Sequence, residues 1–306
     1  MIKEKRQNLL GQLLLLIATL VWGTSFFILK DTIDVYPPMY VIGFRFLVSS
    51  ILLFFICFKR VINIKKGTFF RGVVLGTCVA LAYITQTYGL QTTSPATNAF
   101  LTSLYCVLAP FLVWLIYKSA PKLYNVISIG FCLLGLTLVA FSSNEGGQNE
   151  FIGCALTLIG AIFYSLQLVF IDRFQKNNDD TFCLLVVELF TVSIIVLALS
   201  FIVEIRVLGF SGMIFKKEHL FNIIYLTIAC TVVAQLCQIL GQKYTTANQA
   251  AIVLSLESVF GALFSVIFGR EQLTLILTLG FISIFISVLI TELRVDFRKA
   301  FRKKQL

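Results

Sequence analysis

The chain has 306 residues, of which 58% are hydrophobic and 13% charged, and its mean hydropathy is +0.92. Soluble domains carry roughly 25% charged residues, so a soluble globular protein is excluded. The formal net charge of +10 sits in short flanks, at Lys3-Lys5-Arg6, from Lys59 to Arg71 and from Arg294 to Lys304. The positive-inside rule explains that placement, and no nucleic-acid-binding motif accompanies it.

Taken in order, the apolar runs predict helices at 10–29, 38–58, 69–90, 95–117, 123–142, 151–171, 181–203, 220–242, 247–268 and 272–292. Runs of about 20 residues match a helix crossing the hydrocarbon core, whereas barrel strands alternate over about 10. The expected fold class is therefore all-α integral membrane, with ten transmembrane helices. The first run begins like a signal peptide, but its apolar character continues past Trp22 to Leu29, so it is read as an uncleaved span. Pro37-Pro38 open the second helix, Pro95 the fourth, and Gly146-Gly147 mark a midpoint loop. Eight cysteines (57, 78, 106, 132, 154, 183, 230 and 237) lie in or beside apolar runs without a Cys-x-x-Cys motif, and the single histidine, His219, falls in a loop. No metal or cofactor is expected, and the thiols are read as small buried apolar groups.

The stretch from Gln235 to Glu271 has a twin upstream. Gln86-Thr87-Tyr88-Gly89 with Ala96-Thr97-Asn98-Ala99 echoes Gln238-Ile239-Leu240-Gly241 with Ala247-Asn248-Gln249-Ala250, at offsets of 152 and 151. Trp22-Gly23-Thr24-Ser25 likewise faces Tyr164-Ser165-Leu166-Gln167 at an offset of 142. The domains are therefore a first repeat at 10–142, a second at 151–292 and a basic cytoplasmic tail at 293–306. Five helices per half turn the second half upside down, giving inverted repeats of the kind secondary transporters use around a midplane site. With the N-terminus inside, nineteen of the 25 Lys and Arg are cytoplasmic, five are external and Arg45 lies within a span. Both termini are thus expected to be cytoplasmic, and the weakest part of the count is the external loop at 204–219.

Polar residues within spans supply the candidate site. Gln235, Gln238 and Gln242 recur at i, i+3 and i+7 on one helix face, either as a cavity wall or as interhelical hydrogen-bonding partners. Tyr83 and Gln86 on the third helix, with Asn98, Thr102 and Tyr105 on the fourth, extend that wall, and the rings and amides suit a partly apolar, zwitterionic or neutral metabolite. Trp22 is nearly mid-span, in a cavity wall or a packed core, and Tyr164 and Gln167 are its counterparts in the second half. Arg45 and Glu188 each lie roughly 10 Å deep at 1.5 Å per residue, on opposite sides. Snorkelling structural roles are favoured for both. Glu257, about ten residues from either surface, is the deepest charge, placed to bind a cationic group or to carry a proton. Its position in the first repeat is taken by Cys106.

Trp22-Gly23-Thr24-Ser25, Gly43-Phe44-Arg45-Phe46, Phe100 to Tyr105 with Pro110, Ser255 to Phe260 and Gly269-Arg270-Glu271 resemble the EamA-type transporters of the drug/metabolite transporter superfamily. The resemblance spans about residues 10–292. It implies a ten-helix exporter-like fold in the cytoplasmic membrane and a small metabolite, often an amino acid, as cargo. The family usually has Pro after the glutamate of the ninth helix; Ser258 stands there instead, so a kink lacks its usual cause. Ala120 occupies the place that Glu271 has in the second repeat. The expected partners are a small metabolite and the lipid bilayer, with no nucleic acid; proton coupling and a homodimer are compatible with such a fold. No Gly-x-x-x-x-Gly-Lys-Ser/Thr motif is present, so ATP is not the expected direct energy source. The alternative is a membrane-embedded enzyme acting on lipid-linked substrates. It would need a nucleophile or paired acid and base near one face, which the dispersed ionisable residues do not offer.

Overall fold

The computed structural model describes residues 2–118, 120–142, 148–177, 179–207, 215–268 and 274–292, and every regular element among them is helical. Helix α1 is Ile2–Ile33, α2 Pro38–Ile56 and α3 Lys66–Thr92, with one short turn at Phe58–Val61. Helices α4 (Pro95–Ser103) and α5 (Tyr105–Tyr117) form one rod broken at Leu104, and α6 is Leu123–Ser142. The second half opens with α7 (Gln148–Lys176) and α8 (Thr181–Leu199), which runs on as a π-helix, Ser200–Val207. The next rod joins α9 (Leu220–Thr227) to α10 (Ala234–Gln242) through a π-helical stretch, Ile228–Val233. A second broken rod, α11 (Ala247–Leu254) and α12 (Leu256–Ile267), precedes α13 (Leu275–Glu292).

Eight of these stretches are long and apolar enough to cross a membrane; along α6 and α13 the apolar stretches are the shorter Leu123–Gly135 and Thr278–Ser287. The surface is reversed relative to a soluble protein. Phe55, Leu115, Phe151, Phe221 and Leu275 point outward, while Arg45, Asn98, Glu188, Gln235 and Glu257 are buried. The midpoint glycines, Gly269-Arg270-Glu271 and the basic tail lie outside the described residues.

Local chemistry starts each rod. Pro38 begins α2 with φ already set for a helix. Ser94 caps α4 by accepting from Thr97 N at 3.1 Å. Thr246 caps α11 in a capping box with Gln249. The two caps stand 152 residues apart, at the twin turns of the repeat. Asp180 caps α8 through Phe182 N and Cys183 N at 2.9 and 3.0 Å.

Helix α2 lacks such a cap, because Pro37 has no side-chain acceptor. Its first free amides, Met39 N and Tyr40 N, instead donate to the two carboxylate oxygens of Glu204, at 2.8 and 2.9 Å. The sequence places residue 204 at the start of an external loop. The structure corrects that: the chain stays helical to Val207 and Glu204 is 1% exposed. A π-helix advances its side chains differently from an α-helix, which turns this carboxylate inward onto α2.

The pairing of helices repeats when the halves are exchanged. Helix α3 packs on α7 as α10 packs on α1; α5 packs on α7 as α12 packs on α1; α2 packs on α8, and α6 on α13. The tightest seams are made of glycine. A Cβ on Gly89 would lie 2.6 Å from Gly153 O, and one on Gly241 would lie 2.8 Å from Gly11 O. Helices thus approach backbone to backbone, the usual packing of spans that have no hydrophobic drive to associate in lipid. Across α6 and α13, Ser128 and Ser287 each donate to the other's carbonyl, at 2.7 and 2.8 Å.

Both breaks have local causes. In α5, Pro110 removes the hydrogen bond to Cys106 O and crowds that carbonyl, and the chain tightens at Leu104 into three-residue bonds, Val107 N to Leu104 O at 3.0 Å. In the other rod no proline is needed. Ser255 Oγ donates to Ile252 O at 2.7 Å and Ser258 Oγ to Ser255 O at 2.8 Å, and such back-bonding bends helices. Ser258, which stands where the resemblance leads one to expect proline, therefore takes part in the break itself.

Candidate functional site

The two breaks meet, Ser103 Oγ donating to Ser255 O at 3.5 Å, beside a cavity of about 600 Å³, its open mouth included. Only about 40 Å³ of it is wide enough for the centre of a water molecule, enough for about three waters, so the walls stand close together. A solute larger than that enters only if they part.

Ten of the twelve residues chosen from sequence line this space. Tyr83 and Gln86 come from α3, Thr102 from α4, Tyr105 from α5, and Trp22 from α1. Tyr164 and Gln167 come from α7, Gln235 and Gln238 from α10, and Glu257 from α12. The remaining two lie elsewhere. Asn98 is fully buried and donates to Thr157 Oγ1 at 2.8 Å and to Gln86 O at 3.2 Å, joining α4 to α3 and α7. Gln242, at the end of α10, donates to Leu168 O at 3.1 Å. Both act as interhelical hydrogen-bonding groups, the alternative that apolar surroundings favour.

Gln86 organises one wall. Its Nε2 donates to Thr102 Oγ1 at 2.9 Å, and its Oε1 accepts from Tyr164 OH at 2.7 Å. One amide thereby ties α3 to α4 and to α7. Tyr83 meets Tyr164 edge-on with ring centroids 5.5 Å apart, and Phe46 at 5.1 Å. On the opposite side, Trp22 Nε1 donates to Cys230 O at 2.9 Å, a carbonyl within the π-helical stretch of the α9–α10 rod. Gln167 donates to the buried Glu188 Oε1 at 2.7 Å, so Glu188 sits behind the wall. Gln235 and Gln238 make no hydrogen bond among the described residues, and their amides stay available to a bound molecule.

The charges are disposed differently from the reading by depth alone. Arg45 does not snorkel. It is 2% exposed and lines the cavity, its guanidinium 4.7 Å from the Tyr83 ring centroid and 5.2 Å from that of Phe46. Its Nε has no hydrogen-bond partner, while Glu257 lies beside the Tyr105 hydroxyl and Ser103. Ser25, Phe26, Leu29, Leu90, Leu168 and Leu254 complete the lining. Ser25 carried a sequence signal, since it stands opposite Gln167 in the repeat; Arg45 carried none beyond its presence in a span. Among the described residues no group of three or more His, Cys, Asp or Glu is placed to hold a metal.

The EamA-like transporter family matches this chain twice, over residues 9–141 and 151–293. The chain belongs to the EamA-like transporter family. The two matched segments are the two halves whose caps, seams and breaks correspond. An EamA-like transporter is embedded in a membrane by many helices and carries a small molecule, as the lining here suits. Among its relatives, a protein of Archaeoglobus fulgidus described as an uncharacterized transporter is 31% identical over 276 residues, 89% of this chain and 82% of that one. YvbV of Bacillus subtilis, also described as an uncharacterized transporter, is 23% identical over 277 residues, 89% of this chain and 88% of its own. A solved crystal structure superposes with a TM-score of 0.73 over 92% of this chain and 96% of its own. At 14% identity that likeness concerns the fold alone.

Proposed function

We propose that the protein is a secondary transporter that exports small metabolites, amino acids among them, across the cytoplasmic membrane. It works by alternating access around the cavity between two inverted five-helix repeats, with both termini in the cytoplasm. The observation that carries this reading is the cavity's construction: each wall is drawn from both halves, beside two helix breaks 151 residues apart. Broken helices meeting at a repeat interface are the usual binding architecture of such transporters. The narrowness of the cavity supports an occluded arrangement that opens when one half rocks against the other. The charge asymmetry of the loops supports the orientation.

Two measurements test it. Purified protein screened against a metabolite panel should be stabilised by its cargo, by about 2.7 kcal/mol at a hundred times the dissociation constant; a panel of soluble metabolites with no stabilising member argues against a small-solute site. Coupling to protons is assigned to Glu257, which shares the cavity with Arg45 on α2, Tyr83 on α3, Tyr105 on α5 and Tyr164 on α7. Uptake into proteoliposomes should vary with pH in the wild type and lose that dependence in Glu257→Gln. An unchanged pH profile in the variant removes the proton from the mechanism.

A further inference from the structure

Cys106 and Cys132 hold their sulfurs 3.0 Å apart, one at the start of α5 and the other in the middle of α6. A disulfide bond spans about 2 Å, so about 1 Å of further approach would join them. Both thiols are free and fully buried. A neighbour from the other half orders their hydrogens. Ser255 directs its one hydroxyl proton at Ile252 O, 2.7 Å away, so it accepts from Cys132 Sγ at 3.7 Å. The sulfur–sulfur contact is then left to the Cys106 hydrogen. The chain Cys106, Cys132, Ser255 thus runs from one helix break to the other. Pro110 has removed the helical hydrogen bond to Cys106 O, and Ser103 Oγ donates to Ser255 O at 3.5 Å where the breaks meet. In the repeat, Cys106 stands where the second half has Glu257.

We propose that Cys106 and Cys132 form a reversible disulfide that fastens α5 to α6 at the break and arrests transport. Helix α6 is a firm anchor, because Ser128 and Ser287 bind it to α13 through each other's carbonyls. Tyr105, the residue before Cys106, lines the cavity, and a bonded Cys106 fixes that part of the wall. The oxidant is a peroxide, small and uncharged enough to enter as water does when the walls part. One sulfur attacks a peroxide oxygen and the O–O bond breaks. The thiol hydrogen leaves with the departing oxygen as water, and a sulfenic acid remains. The second sulfur attacks that sulfur, the S–O bond breaks, and the second thiol hydrogen leaves with the hydroxyl as another water. Two thiols together lose two electrons, and one peroxide becomes two waters. The arrest rests on the transporter reading above; the bond does not.

The test treats the full-length wild-type protein in proteoliposomes with hydrogen peroxide, then unfolds, alkylates and maps it by mass spectrometry. Peptides joined through Cys106 and Cys132, and separated by dithiothreitol, are expected. Alkylation of both thiols after the peroxide, or a sulfinic acid at either without a link, overturns the proposal. This comparison needs no variant to fold. Counterflow of a metabolite that the panel selects should fall at least tenfold on oxidation and return with dithiothreitol. Cys132→Ser, which keeps a donor for Ser255, should transport as the wild type does and lose the sensitivity to peroxide. An equal loss in that variant places the effect of peroxide elsewhere and overturns the arrest. If the link forms and counterflow is unchanged, the arrest fails and the transporter reading stands. If the link forms and no solute moves even before oxidation, the bond stands, and the arrest falls with the transporter reading.

Discussion

Replacing Glu204 by Ala should destabilise the protein by about 1–3 kcal/mol for each buried donor it leaves without an acceptor. The carboxylate is 1% exposed and accepts from Met39 N, Tyr40 N and Ser200 Oγ at 2.7 to 2.9 Å, with Tyr88 OH at a looser 3.3 Å. Its removal strands the first amides of α2, which Pro37 cannot cap, Met39 N buried and Tyr40 N partly so. Glu204→Gln keeps one acceptor oxygen and should recover part of the loss, because the amide presents a donor where two of the partners are themselves donors. Thermal unfolding in detergent measures both. If Glu204→Ala unfolds with the wild type, the π-helical stretch has some other purpose than carrying this cap.

The second large effect concerns the glycine seams. Valine at Gly89 would press on Gly153 O, and valine at Gly241 on Gly11 O and on Leu15 Cγ at 2.8 Å. Backbone obstacles do not move aside as a flexible side chain does, so each substitution should cost about 1–3 kcal/mol or more by overpacking. It should also separate α3 from α7, or α10 from α1. Gly130→Ala is the control: nothing lies within 4 Å of its Cβ position, and removing a helical glycine should be neutral or stabilise by up to about 1 kcal/mol. The sizes of the two seam effects carry a further meaning. Positions 89 and 241 are 152 residues apart, and if the halves are copies of one design their penalties should be similar. Melting curves and monodispersity of Gly89→Val and Gly241→Val would show it. A mild effect at one and collapse at the other would contradict the equivalence.

Much of this was legible from the residues, for reasons that can be stated. Gln235 and Gln238 are three apart on a helix that stays regular between them, so a face deduced from spacing is a face in space. One turn later, Gln242 has reached the end of α10, where the neighbouring chain is the backbone of α7 rather than the cavity. Asn98 shares the unbroken α4 with Thr102, yet one turn earlier its short amide meets Thr157 Oγ1 and Gln86 O instead of the cavity.

Arg45 shows the limit of counting depth. Distance from a helix end says how far a guanidinium would have to reach, not which way its rotamer points, and that is decided by the rings of Phe46 and Tyr83. Glu204 was lost for a related reason: a glutamate after an apolar run reads as a loop, and the π-helical continuation that buries it has no periodic signature. The one clue was indirect, since a helix opening Pro-Pro has to obtain its cap from elsewhere.

The central claim is that the cavity between the halves carries a small solute from one face of the membrane to the other, and counterflow tests it most directly. Proteoliposomes loaded with an unlabelled metabolite that the panel selects should take up the labelled compound transiently above its equilibrium level. The initial rates should saturate with concentration. Flux that rises without saturation and shows no counterflow, or covalent turnover of the added compound, would contradict the account.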